Sequence, residues 1–392
     1  MFSKNLKRMG KTIGFRLTLW YSAVFIFSSL LLFGLTYVLL SSSIRAQGRE
    51  LIQTKIREYA LQYESGGLKG LMSEIHLEHS NNQLAGFFVR VADPQNKTLS
   101  LTLPHKWKEV YIKEIEETAL KGGGWLDPDT VMSAGSYEAA LYAAGGLIRA
   151  VEAVMGGEVA SAFALVRPPG HHATSRYAKG FCLFNNIAIA TKYALDKYKL
   201  ERLLIIDFDV HHGNGTQGTF YDNPRVMYIS THEYPFYPGT GSLEETGSGA
   251  AEGTNINIPL PAGCGDEEYL KVFEQIIVPA ARRFKPQFIL VSAGSDNHWA
   301  DPLAMMQVSV AGFGQMARII KGLADELCNG RLVFTLEGGY NLDALAASVK
   351  ATFDILLGST SIDDPLGGAP RSFGAADIDR LIGVIKEIHK LP

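Results

Sequence analysis

The chain has 392 residues and a formal net charge of −3. That length suits two or three domains, or one large domain with additions, and the near balance of charge leaves no basic field for direct nucleic-acid binding. Its cysteines, Cys182, Cys264 and Cys328, are far apart and form no C-x-x-C pair, which excludes a disulfide scaffold and suits a reducing compartment.

Residues 1–16 carry Lys4, Lys7, Arg8, Lys11 and Arg16 and no acid. Leu17 to Ile44 then runs without a charge, long enough to span a bilayer as a helix. Trp20, Tyr21 and Tyr37 suit its interfaces, and the basic flank predicts a cytoplasmic N-terminus. The run is too long for a cleaved signal peptide, so a retained single-pass anchor is expected, with the membrane as a partner. Residues 45–108 are more polar. Arg45 to Tyr63 has helical spacing, Phe87 to Val91 reads as a strand and Asp93-Pro94 as a turn. His76, His79 and His105 have no further ligand type nearby and are read as solvated. The basic tail, apolar helix and small polar region resemble the start of a bacterial sensor histidine kinase, but no phosphoacceptor helix or glycine-rich ATP-binding boxes follow.

From residue 109 the composition changes. Gly122-Gly123-Gly124 and Asp127-Pro128-Asp129-Thr130 suggest a turn-rich loop. Ser136 to Met155 reads as an alanine-rich helix with Ser136 as its cap. Strands are predicted at Ala162–Val166, Leu203–Phe208, Val226–Ser230, Phe288–Ser292 and Leu332–Leu336. Helices are predicted at Ile187–Lys197, Glu267–Arg283, Gly312–Cys328 and Leu342–Leu357. Such alternation implies an α/β fold with a mostly parallel sheet flanked by helices, and a ligand site beyond the carboxyl ends of the strands.

Those ends carry the chemistry. The predicted strands run into Arg167-Pro168-Pro169-Gly170-His171-His172, into Asp209, His211, His212 and Asn214, into Ser230-Thr231-His232, into Gly294-Ser295-Asp296 and into Glu337-Gly338-Gly339-Tyr340. If the second strand stays extended, Asp207, Asp209 and His211 point to one side and converge. Asp209, His211 and Asp296 make a three-ligand set with room for water, as at a catalytic zinc. His171 and His172 are candidates for the base and acid. Asp207 and Asn214 can hold their rings, and Tyr340 can donate to an oxyanion. The expected reaction is hydrolysis of an amide or similar acyl bond. His232, His298 and Asp301 are read as supporting or turn residues, and Cys182 as a small buried apolar group.

RPPGHHA, GFCLFNN, DFDVHHGNGTQ, YPGTG, SAGSDNHWADPL and LEGGYN, in this order, resemble the zinc-dependent histone deacetylase superfamily, which includes acetylpolyamine amidohydrolases and acetoin-utilisation proteins. The likeness covers about residues 110 to 360, and Asn214 brings it closer to the class II branch. It implies an arginase-like fold, one zinc per chain held by Asp209, His211 and Asp296, and acetyl-lysine or an acetylpolyamine as substrate. It further implies catalytic roles for His171, His172 and Tyr340, and a tunnel lined by Gly180 and Phe181. Tyr237 stands in that tunnel where Phe is usual, and Ser295 replaces another common Phe. Asp127 would be the rim carboxylate, and Asp207 with Ser230 would sit near a structural potassium. The family domain would be N-terminally truncated here, spanning 109–392 and joined near Trp107 to Tyr111 to the membrane and sensor-like piece, as in a chimera. Alone it would be cytoplasmic. Two other readings are a binuclear, arginase-like ureohydrolase and a membrane sensor carrying an inactive deacetylase fold.

Overall fold

A computed structural model describes residues 57–67, 69–71, 73, 89–92, 98–102, 109–370 and 378–392. The basic tail, the membrane helix expected at Leu17–Ile44, the Asp93-Pro94 turn and His76, His79 and His105 lie outside the described residues. Among the described residues, no helix is long and apolar enough to cross a membrane. The chain divides into two compact units, residues 1–86 and 87–392. In the first, residues 57–67 are helical, overlapping the helix expected from the spacing.

In the second unit, β1 (Val89–Ala92) pairs antiparallel with β2 (Thr98–Thr102). After a helix at Glu109–Leu120, the expected turn-rich loop is instead a hairpin of β3 (Gly123–Asp127) and β4 (Thr130–Ser133). The next helix does span Ser136–Met155, but its cap is Gly135. The Ser136 hydroxyl accepts the Ser133 N–H at 2.9 Å, which ties the helix to the hairpin rather than closing its first turn.

The core is a six-stranded sheet of β5 (Ser161–Ala164), β6 (Leu203–Asp207), β7 (Val226–Glu233), β8 (Asn255–Leu260), β9 (Phe288–Ala293) and β10 (Leu332–Leu336), in the order β5-β10-β9-β6-β7-β8. Every neighbouring pair is parallel. Successive residues of β6 face opposite sides. Leu204 and Ile206 join a cluster that includes Phe273 and Met316, while Leu203 and Ile205 join one that includes Leu147 and Ile187. Both faces are therefore covered by helices, which is why β6 is apolar at consecutive positions rather than at alternate ones.

Two elements differ from expectation. The apolar pattern does not predict β8, because Asn255, Asn257 and Pro259 interrupt it; its asparagines are nonetheless buried and hydrogen-bonded to Gln217. The single helix expected at Glu267–Arg283 is a helix at Asp266–Val272, a π-turn at Phe273–Ile277 and a second helix at Val278–Phe284. Pro279 has no N–H to continue the α ladder, and the wider turn absorbs that break.

Candidate metal centre and pocket

Parallel pairing places the carboxyl ends of β5, β6, β7, β9 and β10 on one edge of the sheet, with β10, β9 and β6 adjacent. β6 ends at Asp207, so Asp207, Asp209 and His211 do not share one strand face. The chain turns, and Asp209 and His211 meet Asp296 from the loop after β9. One donor atom from each of these three lies within 4.8 Å of the others. His211 Nδ1 is 3.1 Å from an oxygen of Asp209 and 3.1 Å from one of Asp296.

Both carboxylates are buried, at 1% and 0% exposure. Burial and the facing Asp209 charge push the Asp296 carboxyl up to about 6. Burial lowers the basicity of His211, but its hydrogen bonds to Asp209 and Asp296 outweigh this and lift it to about 10. Two buried acids and one imidazole aimed at a single point fit a divalent cation, which would replace the proton and quench the repulsion. The Gly338 N–H donates to Asp209 at 2.8 Å. A Cβ at Gly338 would lie 2.2 Å from Asp296 Oδ2, so the backbone approaches this closely only because the residue is glycine.

The histidine pair follows β5. His171 Nδ1 lies 3.0 Å from Asp207 Oδ2, and the Tyr228 hydroxyl donates to the same oxygen at 2.9 Å. Burial disfavours a charged His171, yet the Asp207 and Asp209 carboxylates outweigh it and hold the imidazole well above its ordinary value. His172 goes the other way, pushed well below by burial and by neighbouring His171. Its Nδ1 lies 2.9 Å from Asn214 Oδ1, while the Asn214 amide faces the His172 carbonyl. That arrangement keeps the proton on Nδ1 and leaves Nε2 as an acceptor.

The pair rests on Gly215 and Thr216, whose N–H groups both donate to the His171 carbonyl at 3.1 Å. A Cβ on Gly215 would lie 2.1 Å from the Ala173 carbonyl oxygen. Backbone cannot yield as a side-chain tip can. Gly215→Ala is expected to cost about 2–3 kcal/mol through overpacking, read as a lower denaturant midpoint at unchanged slope. An unchanged midpoint would refute this packing account.

A pocket of about 170 Å³ opens over these groups. It is lined by His171, His172, Asp209, His211 and Tyr340 together with Gly180, Phe181, Phe236, Tyr237 and Leu303. Tyr237 stands edge-on to His172, with ring centres 5.2 Å apart. Burial raises the Tyr340 phenol well above its ordinary value, so it stays protonated and able to donate. The Asp301 carboxylate accepts the N–H groups of Tyr340 and Asn341 at 2.7 and 3.2 Å. Asp301 is thus occupied with backbone, and among the described residues the three-residue cluster is the one grouping suited to a metal.

Asp127 does not line the pocket; Asp129 does. Asp127 pairs with Thr130 at the end of the β3–β4 hairpin, and the tight turn presents Asp129 instead. Asp129 accepts the Gly180 N–H at 2.9 Å. Burial disfavours its charge, but the hydrogen bonds from the Thr130 hydroxyl and the Gly180 N–H prevail and hold the carboxyl below its ordinary value. Both acids of the D-P-D motif are visible in the sequence, but only the turn's direction separates them. His232 bonds to Ser230 and to the Gly241 carbonyl, and His298 packs on Phe313; neither lines the pocket. Cys182 is fully buried.

A family model described as the histone deacetylase domain matches residues 71–356. A probable deacetylase of Archaeoglobus fulgidus is 49% identical over 235 residues, covering 60% of this chain and 65% of that protein. The chloroplastic histone deacetylase 10 of Oryza sativa subsp. japonica is 48% identical over 239 residues, covering 59% of this chain and 54% of that protein. The solved HD domain of HDA15 matches with a TM-score of 0.64 at 36% identity, covering 72% of this chain and 77% of that one. The chain thus spans between about half and two thirds of these curated relatives' length.

Proposed function

Because this chain belongs to the histone deacetylase family, we propose that it hydrolyses an N-acetyl amide, with acetyl-lysine or an acetylated polyamine as the substrate class. The carrying observation is the Asp209, His211 and Asp296 cluster beside two histidines of opposite electrostatic bias, with Asp209, His211 and both histidines lining one pocket.

Asp209, His211 and Asp296 would hold the metal, and a bound zinc ion would supply Lewis acidity toward water and the acyl carbonyl. His172, neutral and with Nε2 open, takes the proton of the attacking water. His171, kept cationic by its carboxylates, steadies the negative charge that develops. Pairs whose surroundings push their basicities apart divide acid and base roles in this way. Tyr340 donates to the oxyanion, and the leaving amine collects its proton from the histidine pair. Phe181 and Tyr237 flank the aliphatic arm beside Gly180, and Asp129 rather than Asp127 receives an N–H or ammonium at the rim. Asp207 and Ser230 stand side by side on β6 and β7, and there we place a structural potassium. Residues 109–392 form the catalytic part in this reading.

The full chain is expected to hydrolyse a fluorogenic acetyl-lysine peptide or an N-acetylpolyamine, to lose turnover with a chelator and to regain it with zinc at one metal per chain. Folded protein that carries one zinc and hydrolyses neither amide would refute the reading. Two metals per chain would favour the ureohydrolase alternative.

A further inference from the structure

Glu337 takes no part in the chemistry above, yet its side chain is 0% exposed. It is the residue just after β10, which lies between β5 and β9 in the sheet. One carboxylate oxygen accepts the N–H groups of Gly170 and His171, at 2.7 and 3.2 Å. The other accepts the Ser292 hydroxyl at 2.8 Å. Its own N–H donates to the Ala293 carbonyl at 3.0 Å, and its carbonyl accepts from Arg167. The partners on one side belong to the loop that carries the histidine pair. Those on the other belong to the strand that leads to Asp296.

A buried carboxylate is costly unless fully hydrogen-bonded, and an apolar residue could fill the same space without that cost. What an apolar residue could not do is grip two consecutive amides of the neighbouring loop. We propose that Glu337 is a positioning residue: it clamps the Gly170–His171 backbone and so sets the place of the His171 and His172 rings over the Asp209–His211–Asp296 cluster. This rests on the deacetylase reading for its kinetic consequence, though the clamp itself is a matter of geometry.

The test compares Glu337→Ala and Glu337→Gln in the full chain, by steady-state kinetics, metal content, thermal unfolding and the imidazole N–H resonances of His171 and His172. Glu337→Ala removes the grip. It is expected to lower kcat about 10- to 100-fold, in the range found for groups that orient a metal site from outside it, with KM within about threefold, one metal per chain and displaced or broadened imidazole signals. Glutamine can place its carbonyl oxygen on the two amides and its NH₂ on Ser292, whose hydroxyl accepts as well as donates. Glu337→Gln should therefore recover most of the lost kcat and the wild-type imidazole signals. The clamp is overturned if Glu337→Ala leaves kcat within about threefold and those signals unmoved. It is also overturned if both variants lose activity together with metal and thermal stability, since the residue would then serve only the fold. If the wild type hydrolyses neither amide, the deacetylase reading fails while the imidazole signals still decide the clamp.

Discussion

Asp296→Asn is expected to abolish stoichiometric zinc binding and to lower kcat/KM at least about a thousandfold, because a three-ligand site that loses a charged ligand loses both affinity and its means of activating water. The same change has a second, opposite consequence. In the metal-free protein Asp296 and Asp209 are buried acids facing one His211, and the Asp296 carboxyl is raised to about 6 by burial and by Asp209. A carboxyl whose folded-state value lies above its unfolded value binds more protons when folded. Its effect is that stability falls as pH rises from about 4 toward 6. Asparagine removes that ionisation, so the metal-free variant should unfold no lower than the metal-free wild type near neutral pH and should lack this slope. Zinc at a hundred times its Kd should stabilise the wild type by about 2.7 kcal/mol and the variant not at all. Calorimetric titration with thermal unfolding checks both statements. A variant that binds one zinc as tightly as the wild type would remove Asp296 from the ligand set.

Tyr340→Phe is expected to lower kcat about 100- to 1,000-fold, the range for loss of one oxyanion donor, with metal content unchanged and KM little altered. The phenyl ring keeps the edge contact with Phe181, 5.9 Å between ring centres, and the backbone stays fixed by Asp301. Only the hydroxyl goes. In the proposed mechanism its contribution belongs to the transition state: burial keeps the phenol protonated, so it would donate when the acyl oxygen gains charge. A kcat within about fivefold of wild type would assign oxyanion stabilisation elsewhere.

These two expectations draw on residues that the sequence marked unequally. The apolar runs at Leu203–Asp207, Phe288–Ala293 and Leu332–Leu336 are strands buried on both faces, so local composition alone announced the parallel sheet and the edge on which polar residues gather. Asp209, His211, Asp296 and Tyr340 follow such runs, while His171 and His172 follow the half-buried edge strand β5. Where a strand carried polar residues, as β8 does at Asn255 and Asn257, the local pattern misled. Those side chains satisfy Gln217 across the fold, and no window of neighbouring residues records that partner.

By itself, then, the sequence determined the α/β class, the segments that build the sheet and the set of chemically suited residues at its carboxyl edge, because periodicity and residue type act locally. Tertiary structure alone decided the rest. It ended β6 at Asp207, sending that carboxylate to His171 rather than toward the Asp209–His211–Asp296 cluster. It presented Asp129 to the pocket in place of Asp127, and it joined Glu337 to the loop after β5 and to strand β9. The physical reason is common to all three. A side chain's direction beyond the end of a strand is set by the turn that follows and by the partner waiting across the fold. Both come from segments distant in the chain, brought together only when the sheet assembles.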